Sequence, residues 1–169
     1  MNAVSRLIAV LLFAAVSLQT VAGTGMLDRI RTSQTLTIAY APNAYPISFK
    51  GENGEPDGYS VDLCRRIAAA IQRELKLDTL DVKWLEGNTP RRIAAVANGE
   101  ADLECGTTTM NLRRQREVDF GTVVFVESGG ILVAAESGIR SLADLAGKKL
   151  AVTPQTTIEK RLRAVLECR

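Results

Sequence analysis

The chain is close to neutral, with 21 lysines and arginines against 19 aspartates and glutamates over 169 residues, and the two signs are interleaved. No basic stripe is present, so no nucleic-acid partner is expected. The absence of histidine removes the commonest general base, the usual serine and cysteine triads and most zinc sites.

Arg6 precedes an unbroken apolar stretch from Leu7 to Val16, and small residues follow at Ala22 and Gly23. This is the layout of a secretory signal peptide over residues 1–22, too short to span a bilayer, which needs about 20 apolar residues. The remainder is the size of one ordinary domain.

Met26 to Arg31 reads as a short amphipathic turn and Leu36 to Tyr40 as a strand. Pro42 to Gly58 reads as a loop, with Asn53-Gly54 as a hairpin turn. Val61 to Leu75 repeats its apolar residues at helical spacing, which places Cys64 beside Ile67, Ala68 and Ile71 as a buried thiol. The three cysteines, Cys64, Cys105 and Cys168, include no closely spaced pair, so one internal disulfide at most is possible and no metal or cofactor is expected.

Leu80 to Leu85 reads as the next strand. Thr89 then stands where a helix cap would, with Pro90 at the first helical position and Gly99 just past the end. Ala101 to Cys105 reads as a short buried strand, Asn111 to Glu117 as a short polar helix, and Val123 to Ala135 as two apolar runs broken by Gly129-Gly130. Ser141 caps a short helix that Gly147 ends, Lys149 to Val152 reads as a strand, and Thr157 to Leu166 as a helix. Strands alternating with helices through short links predict an α/β fold of parallel βαβ units. The glycine pair divides it into a first lobe, residues 23–128, and an incomplete start of a second, residues 129–169.

Ligands of open parallel sheets bind beyond the carboxyl ends of the strands. Those positions hold Ala41 to Tyr45, Thr89 with Arg92, Thr107 to Thr109, and Thr153 to Thr157. Arginine forks, threonine hydroxyls and helix-start N–H groups suit a buried carboxylate, whose desolvation must be offset by donors. Each residue also has a plainer use: Thr89 as a cap, Thr107 to Thr109 as a turn, and Arg91, Arg92, Arg113, Arg114 and Arg116 as solvated charges. Asp62, Asp102 and Glu104 have no accompanying nucleophile–base pair, and structural roles are expected for all three.

The run Gly58-Tyr59-Ser60-Val61-Asp62-Leu63, followed by Ile67, Ala68 and Ile71, resembles the motif of the family 3 extracellular solute-binding proteins of amino-acid ABC importers; Ser60 stands where that motif usually carries an acidic residue. Glu104-Cys105-Gly106-Thr107-Thr108-Thr109, then Arg114-Gln115-Arg116, Asp119-Phe120 and Phe125-Val126, resembles the glutamate/aspartate-binding branch. The likeness runs from about Leu27 to the end.

It implies a two-lobed periplasmic binding protein of type II, closing by a hinge on a polar or acidic amino acid that it delivers to an inner-membrane permease. It also implies residue roles. Arg114 and Thr109 would hold the α-carboxylate and Thr107 the α-ammonium; Thr89 and Arg92 would face the side chain, and Thr153, Thr156 and Thr157 would close from the second lobe. Ala41 stands where that branch usually has arginine, which opens the site to neutral ligands such as glutamine or asparagine, and Gln155 stands where it usually has glycine.

Family members continue well past Arg169, so the chain is expected to form a one-sided, weakly binding clamp. The alternatives are a nonfunctional remnant or a periplasmic dehydratase on the same fold.

Overall fold

The computed structural model describes residues 25–167; the signal-peptide reading of residues 1–22 and the state of Cys168 lie outside the described residues. Helix α1 (Met26–Ser33) leads into strand β1 (Thr35–Tyr40). The short apolar repeat first read as a turn thus makes two full helical turns, stopped by Gln34 in a left-handed conformation whose N–H donates to the carbonyl of Ile30 at 2.8 Å.

The loop expected over Pro42–Gly58 holds a small antiparallel sheet of β2 (Asn43–Ala44), β3 (Ser48–Lys50) and β4 (Pro56–Asp57). Its turn falls at Gly54, φ 82°, as the Asn-Gly pair predicts. Gly58, φ 114°, opens helix α2 (Tyr59–Glu74). A side chain there would meet the carbonyl oxygen of Ile47 at 2.7 Å, so glycine is required by space as well as by conformation.

Strand β5 (Asp81–Glu86), helix α3 (Thr89–Ala97) and strand β6 (Leu103–Cys105) complete a parallel sheet in the order β5-β1-β6. Tyr40 pairs with Glu86 on one side and Cys105 on the other.

Alternation along β1 builds the two apolar layers. Leu36 and Ile38, both fully buried, pack with Ile30, Cys64, Ala68, Leu75, Cys105, Val82, Trp84 and Leu103. Ala39, on the opposite face, packs with Ala95, Ala101, Leu85 and Val96. Helices α1 and α2 therefore cover one face and α3 the other. Because β1 lies between its two successors, the chain reverses direction across the sheet at β1, and such a switch opens a crevice at the strands' carboxyl ends.

Cys64 is not the buried thiol expected from its helical face. It is disulfide-bonded to Cys105, with 6.3 Å between Cα atoms, which ties α2 to the last residue of β6. Two of the three expected carboxylate roles are also structural here. Asp102 accepts the Thr37 N–H at 2.8 Å and pairs with Arg29, and Asp62 pairs with Arg65 on the surface.

Beyond the sheet, regular structure thins. The polar helix expected over Asn111–Glu117 is a single 3-10 turn, Arg114–Arg116. After another such turn at Ala135–Ser137, Ser141 and Asp144 form a capping box on a third, Leu142–Leu145, and Gly147 follows it at φ 71°. Helix α4 (Thr157–Glu167) closes the described chain. The strand expected over Lys149–Val152 does not form: among the described residues no neighbour supplies its ladder hydrogen bonds. Val126 (85 %) and Leu132 (100 %) are exposed, and Ile131, Val133, Leu142, Leu145, Ile158 and Leu162 line an open groove of about 640 Å³.

The disulfide closes a loop of 41 residues, for which chain entropy gives about 4 kcal/mol of stabilisation. Cys64→Ala or reduction with dithiothreitol is expected to lower the unfolding free energy by about 2–4 kcal/mol, read as a fall in the denaturant midpoint. Identical midpoints with and without reductant would contradict the pairing.

Candidate functional site

The carboxyl ends of β5 and β6 lie on either side of β1, and the residues that follow them form two polar networks joined through adjacent threonines, Thr108 and Thr109. Asn88 caps α3, its side chain accepting the N–H of Arg91 at 3.0 Å. Thr89 is thus the first residue of the helix and not its cap, as its place before Pro90 had suggested. Its hydroxyl is half-buried, and its single side-chain contact is with Arg92 at 3.4 Å.

Arg92 is 2 % exposed and almost saturated. Its Nε donates to Glu104 Oε1 at 2.6 Å, Nη1 to the carbonyl of Gly87 at 2.6 Å, and Nη2 to the hydroxyls of Thr108 and Thr89. Thr108 in turn donates to Glu104 Oε1 at 2.9 Å. Gly106 fits beneath this cluster because it has no side chain: a Cβ would lie 2.6 Å from Glu104 Oε1 and 2.9 Å from Arg92 Nη2.

Arg114 is 3 % exposed and has the opposite balance. Its Nη1 donates to the carbonyl of Thr109 at 2.7 Å, and its backbone N–H is received by Asn111 Oδ1 at 3.0 Å. Its Nε is buried with no hydrogen-bond partner, and among the described residues no carboxylate pairs with it. Burial pushes its pKa below the usual arginine range; the charge of Arg113 acts in the same direction and Glu104 opposes both. The other arginines of this stretch take their plainer use: Arg91 pairs with Glu100, Arg113 pairs with Glu117, and Arg116 is exposed.

The far wall comes from the start of α4. The Thr109 and Thr157 hydroxyls are 3.1 Å apart. Thr156 is a cap, receiving the Glu159 N–H at 3.2 Å and donating to the carbonyl of Thr153 at 2.9 Å. Gln155 adopts φ 60°, the left-handed conformation that glycine takes most easily, and its N–H donates to Glu159 Oε2 at 2.7 Å.

Of the residues expected from sequence, Thr89 and Arg92 belong to one network and Thr109, Arg114 and Thr157 to a second. Thr107 and Thr153 are exposed, and their side chains make no hydrogen bond within the described residues. Thr108, part of the expected threonine run but given no ligand role of its own, and Glu104, expected to be structural, complete the first network. Period-two alternation would have found Glu104, since its neighbours Leu103 and Cys105 face the α2 core and so turn it toward α3. After β1, Ala41 brings no charge: it is buried, with both backbone polar groups bonded to the Ser48 hydroxyl.

Residues 36–166 match the family described as bacterial extracellular solute-binding proteins, family 3. The chain is 37 % identical over 143 residues to the L-glutamate/L-aspartate-binding protein of Pseudomonas aeruginosa, covering 84 % of this chain and 47 % of that protein. It is 32 % identical over 141 residues to the glutamate/aspartate import solute-binding protein of Salmonella typhimurium, covering 83 % of this chain and 47 % of that one. The chain therefore spans about half the length of these curated relatives. Among solved structures, the ancestral amino acid-binding protein AncCDT-1, a precursor of cyclohexadienyl dehydratase, superposes with a TM-score of 0.74 at 27 % identity, over 83 % of this chain and 61 % of its own.

The left-handed Gln155 is a removable strain. Gln155→Gly is expected to raise stability by about 0.5–1 kcal/mol, the relief of a left-handed side chain less the added freedom of unfolded glycine, measured as a higher melting midpoint. A lower midpoint would show that the Gln155 side chain contributes packing.

Proposed function

Because the chain belongs to the bacterial extracellular solute-binding proteins of family 3 and carries their type II periplasmic-binding-protein fold, we propose that it grips an amino acid by the α-carboxylate and passes it to an inner-membrane ABC permease. One observation carries this reading: Arg114 is a buried guanidinium whose Nε has no hydrogen-bond partner and which makes no ion pair among the described residues. A buried charge without a partner is costly, and a small carboxylate arriving at the rim removes that cost with charge-assisted hydrogen bonds.

In this reading the Thr109 hydroxyl shares the α-carboxylate with Arg114, Thr107 helps hold the α-ammonium, and Thr89 with the Arg92 network faces the side chain. Thr153, Thr156 and Thr157 cover the ligand from the other side, residues 23–128 and 129–169 being the first lobe and the beginning of a second. The ligand class is a polar or acidic amino acid, in keeping with the glutamate/aspartate-binding relatives. A periplasmic location follows from the signal-peptide layout and agrees with the Cys64–Cys105 disulfide, since such bonds persist in oxidising compartments.

A thermal-shift screen against the twenty amino acids tests the proposal. A bound ligand at 100 times its Kd adds about 2.7 kcal/mol, enough for a clear rise in midpoint. Arg114→Gln is expected to abolish that rise without lowering the unliganded midpoint, because the uncompensated charge is removed. A ligand shift that survives in Arg114→Gln would move the α-carboxylate elsewhere.

A further inference from the structure

Resting on the reading of Arg114 and Thr109 as the α-carboxylate site, we infer that Tyr59 is a positioning residue: its hydroxyl pins the stretch that leads from the sheet to α4 and so holds Thr157 over the rim. Residues 119–133 form no helix or strand, and residues 121–130 are exposed throughout. Such a stretch draws its backbone hydrogen bonds from water, and its path is set by whatever tethers it. Two hydrogen bonds join the described residues before Asp119 to those from Asp119 onward. One is the Thr109–Thr157 contact at the site itself. The other is donated by the Tyr59 hydroxyl to the carbonyl of Val124 at 3.1 Å, with the Phe125 ring beside that of Tyr59, centroids 6.2 Å apart.

The tether has a fixed base. Tyr59 is the first residue of α2, and its N–H donates to the carbonyl of Pro46 at 3.1 Å. The next residue, Ser60, donates its N–H to the carbonyl of Ile47 at 2.8 Å, and its hydroxyl lies 3.2 Å from the carbonyl of Cys105. Tyr59 therefore rises from the point at which the disulfide and Ser60 hold the end of β6.

The far end is held as well. Gly129 lies against α4, where a Cβ would come within 3.0 Å of Ile158 Cδ1. Ile158 adjoins Thr157, whose hydroxyl is 3.1 Å from that of Thr109. These contacts close a circuit from α2 through Val124, Gly129 and Thr157 to Thr109, and back along the threonine run to β6. Without the Tyr59 hydroxyl the circuit opens, and Thr157 keeps only its own bond to the rim. Tyr59 is 45 % exposed, so water replaces the lost bond and the fold loses little; what is lost is the placement of Thr157.

The test compares wild type, Tyr59→Phe, which keeps the ring and drops the hydroxyl, and Arg114→Gln. Energy transfer from Trp84, the single tryptophan, to an acceptor dye on Cys168, the cysteine outside the disulfide, reads the distance between β5 and the end of the chain. Calorimetric titration with L-glutamate and L-glutamine reads affinity. Tyr59→Phe is expected to broaden the distance distribution of the unliganded chain and to weaken binding about three- to tenfold, the scale of one hydrogen bond, at an unchanged melting midpoint. Arg114→Gln is expected to abolish binding and to leave the distance distribution as in wild type.

A distribution identical in wild type and Tyr59→Phe overturns the tether, and a broadened one with unaltered affinity overturns its role in holding Thr157. A melting midpoint that falls together with affinity makes Tyr59 a structural residue and overturns the inference too. If wild type binds neither titrant and no amino acid raises its midpoint, the α-carboxylate reading fails instead, and the transfer comparison alone decides whether Tyr59 pins the stretch.

Discussion

The site depends on an asymmetry between two buried arginines. Arg92 and Arg114 are equally withdrawn from water and stand on the same rim of the sheet, yet one is ion-paired with Glu104 and the other makes no ion pair among the described residues. Burying a charge is tolerated when it is paired and costly when it is not. Arg92 with Glu104, Thr108 and the carbonyl of Gly87 therefore behaves as a structural cross-link between α3 and β6. Arg114 retains an unsatisfied donor at the end of the sheet, the position proposed for the carboxylate of a ligand.

That asymmetry is held by the layers beneath it. The Cys64–Cys105 disulfide ends β6 one residue before Gly106, and the Ser60 hydroxyl, 3.2 Å from the carbonyl of Cys105, secures the same point from α2. The threonine run beyond is thus anchored at its root, while its tip, Thr109, reaches Thr157 of α4. Gly106 allows Arg92 and Glu104 to pass under the backbone. The carboxyl rim is accordingly fixed at its root on the β6 side and meets α4 at its tip.

The two parts of the chain differ in how well they bury their apolar residues. The sheet and its three helices enclose fully buried Ile30, Leu36, Ile38 and Val61. From Val123 onward the apolar residues stay mostly exposed, with Leu145 the buried exception among those described. Segments such as Lys149–Val152 have strand-like composition but no ladder to join. A strand is defined by its neighbour as much as by its own residues, and the relatives this chain matches are about twice its length.

Much of the architecture was legible in the sequence because it rests on local periodicity. Helices α2, α3 and α4, strands β1 and β5 and the turns at Gly54 and Gly147 follow from apolar spacing and from residues that tolerate a left-handed backbone. The α/β class follows from their alternation, and the family from the threonine and arginine runs after the strands. Three features required tertiary structure. The Cys64–Cys105 bond joins residues 41 apart, a separation that no local pattern encodes. The cap on α3 was decided between Asn88 and Thr89 by which side chain reached the Arg91 N–H. The division of labour between Arg92 and Arg114 was set by where Glu104 pointed. Sequence determines which side chains carry charge, but whether a charge is spent inside the protein or kept for a ligand depends on what the fold packs against it.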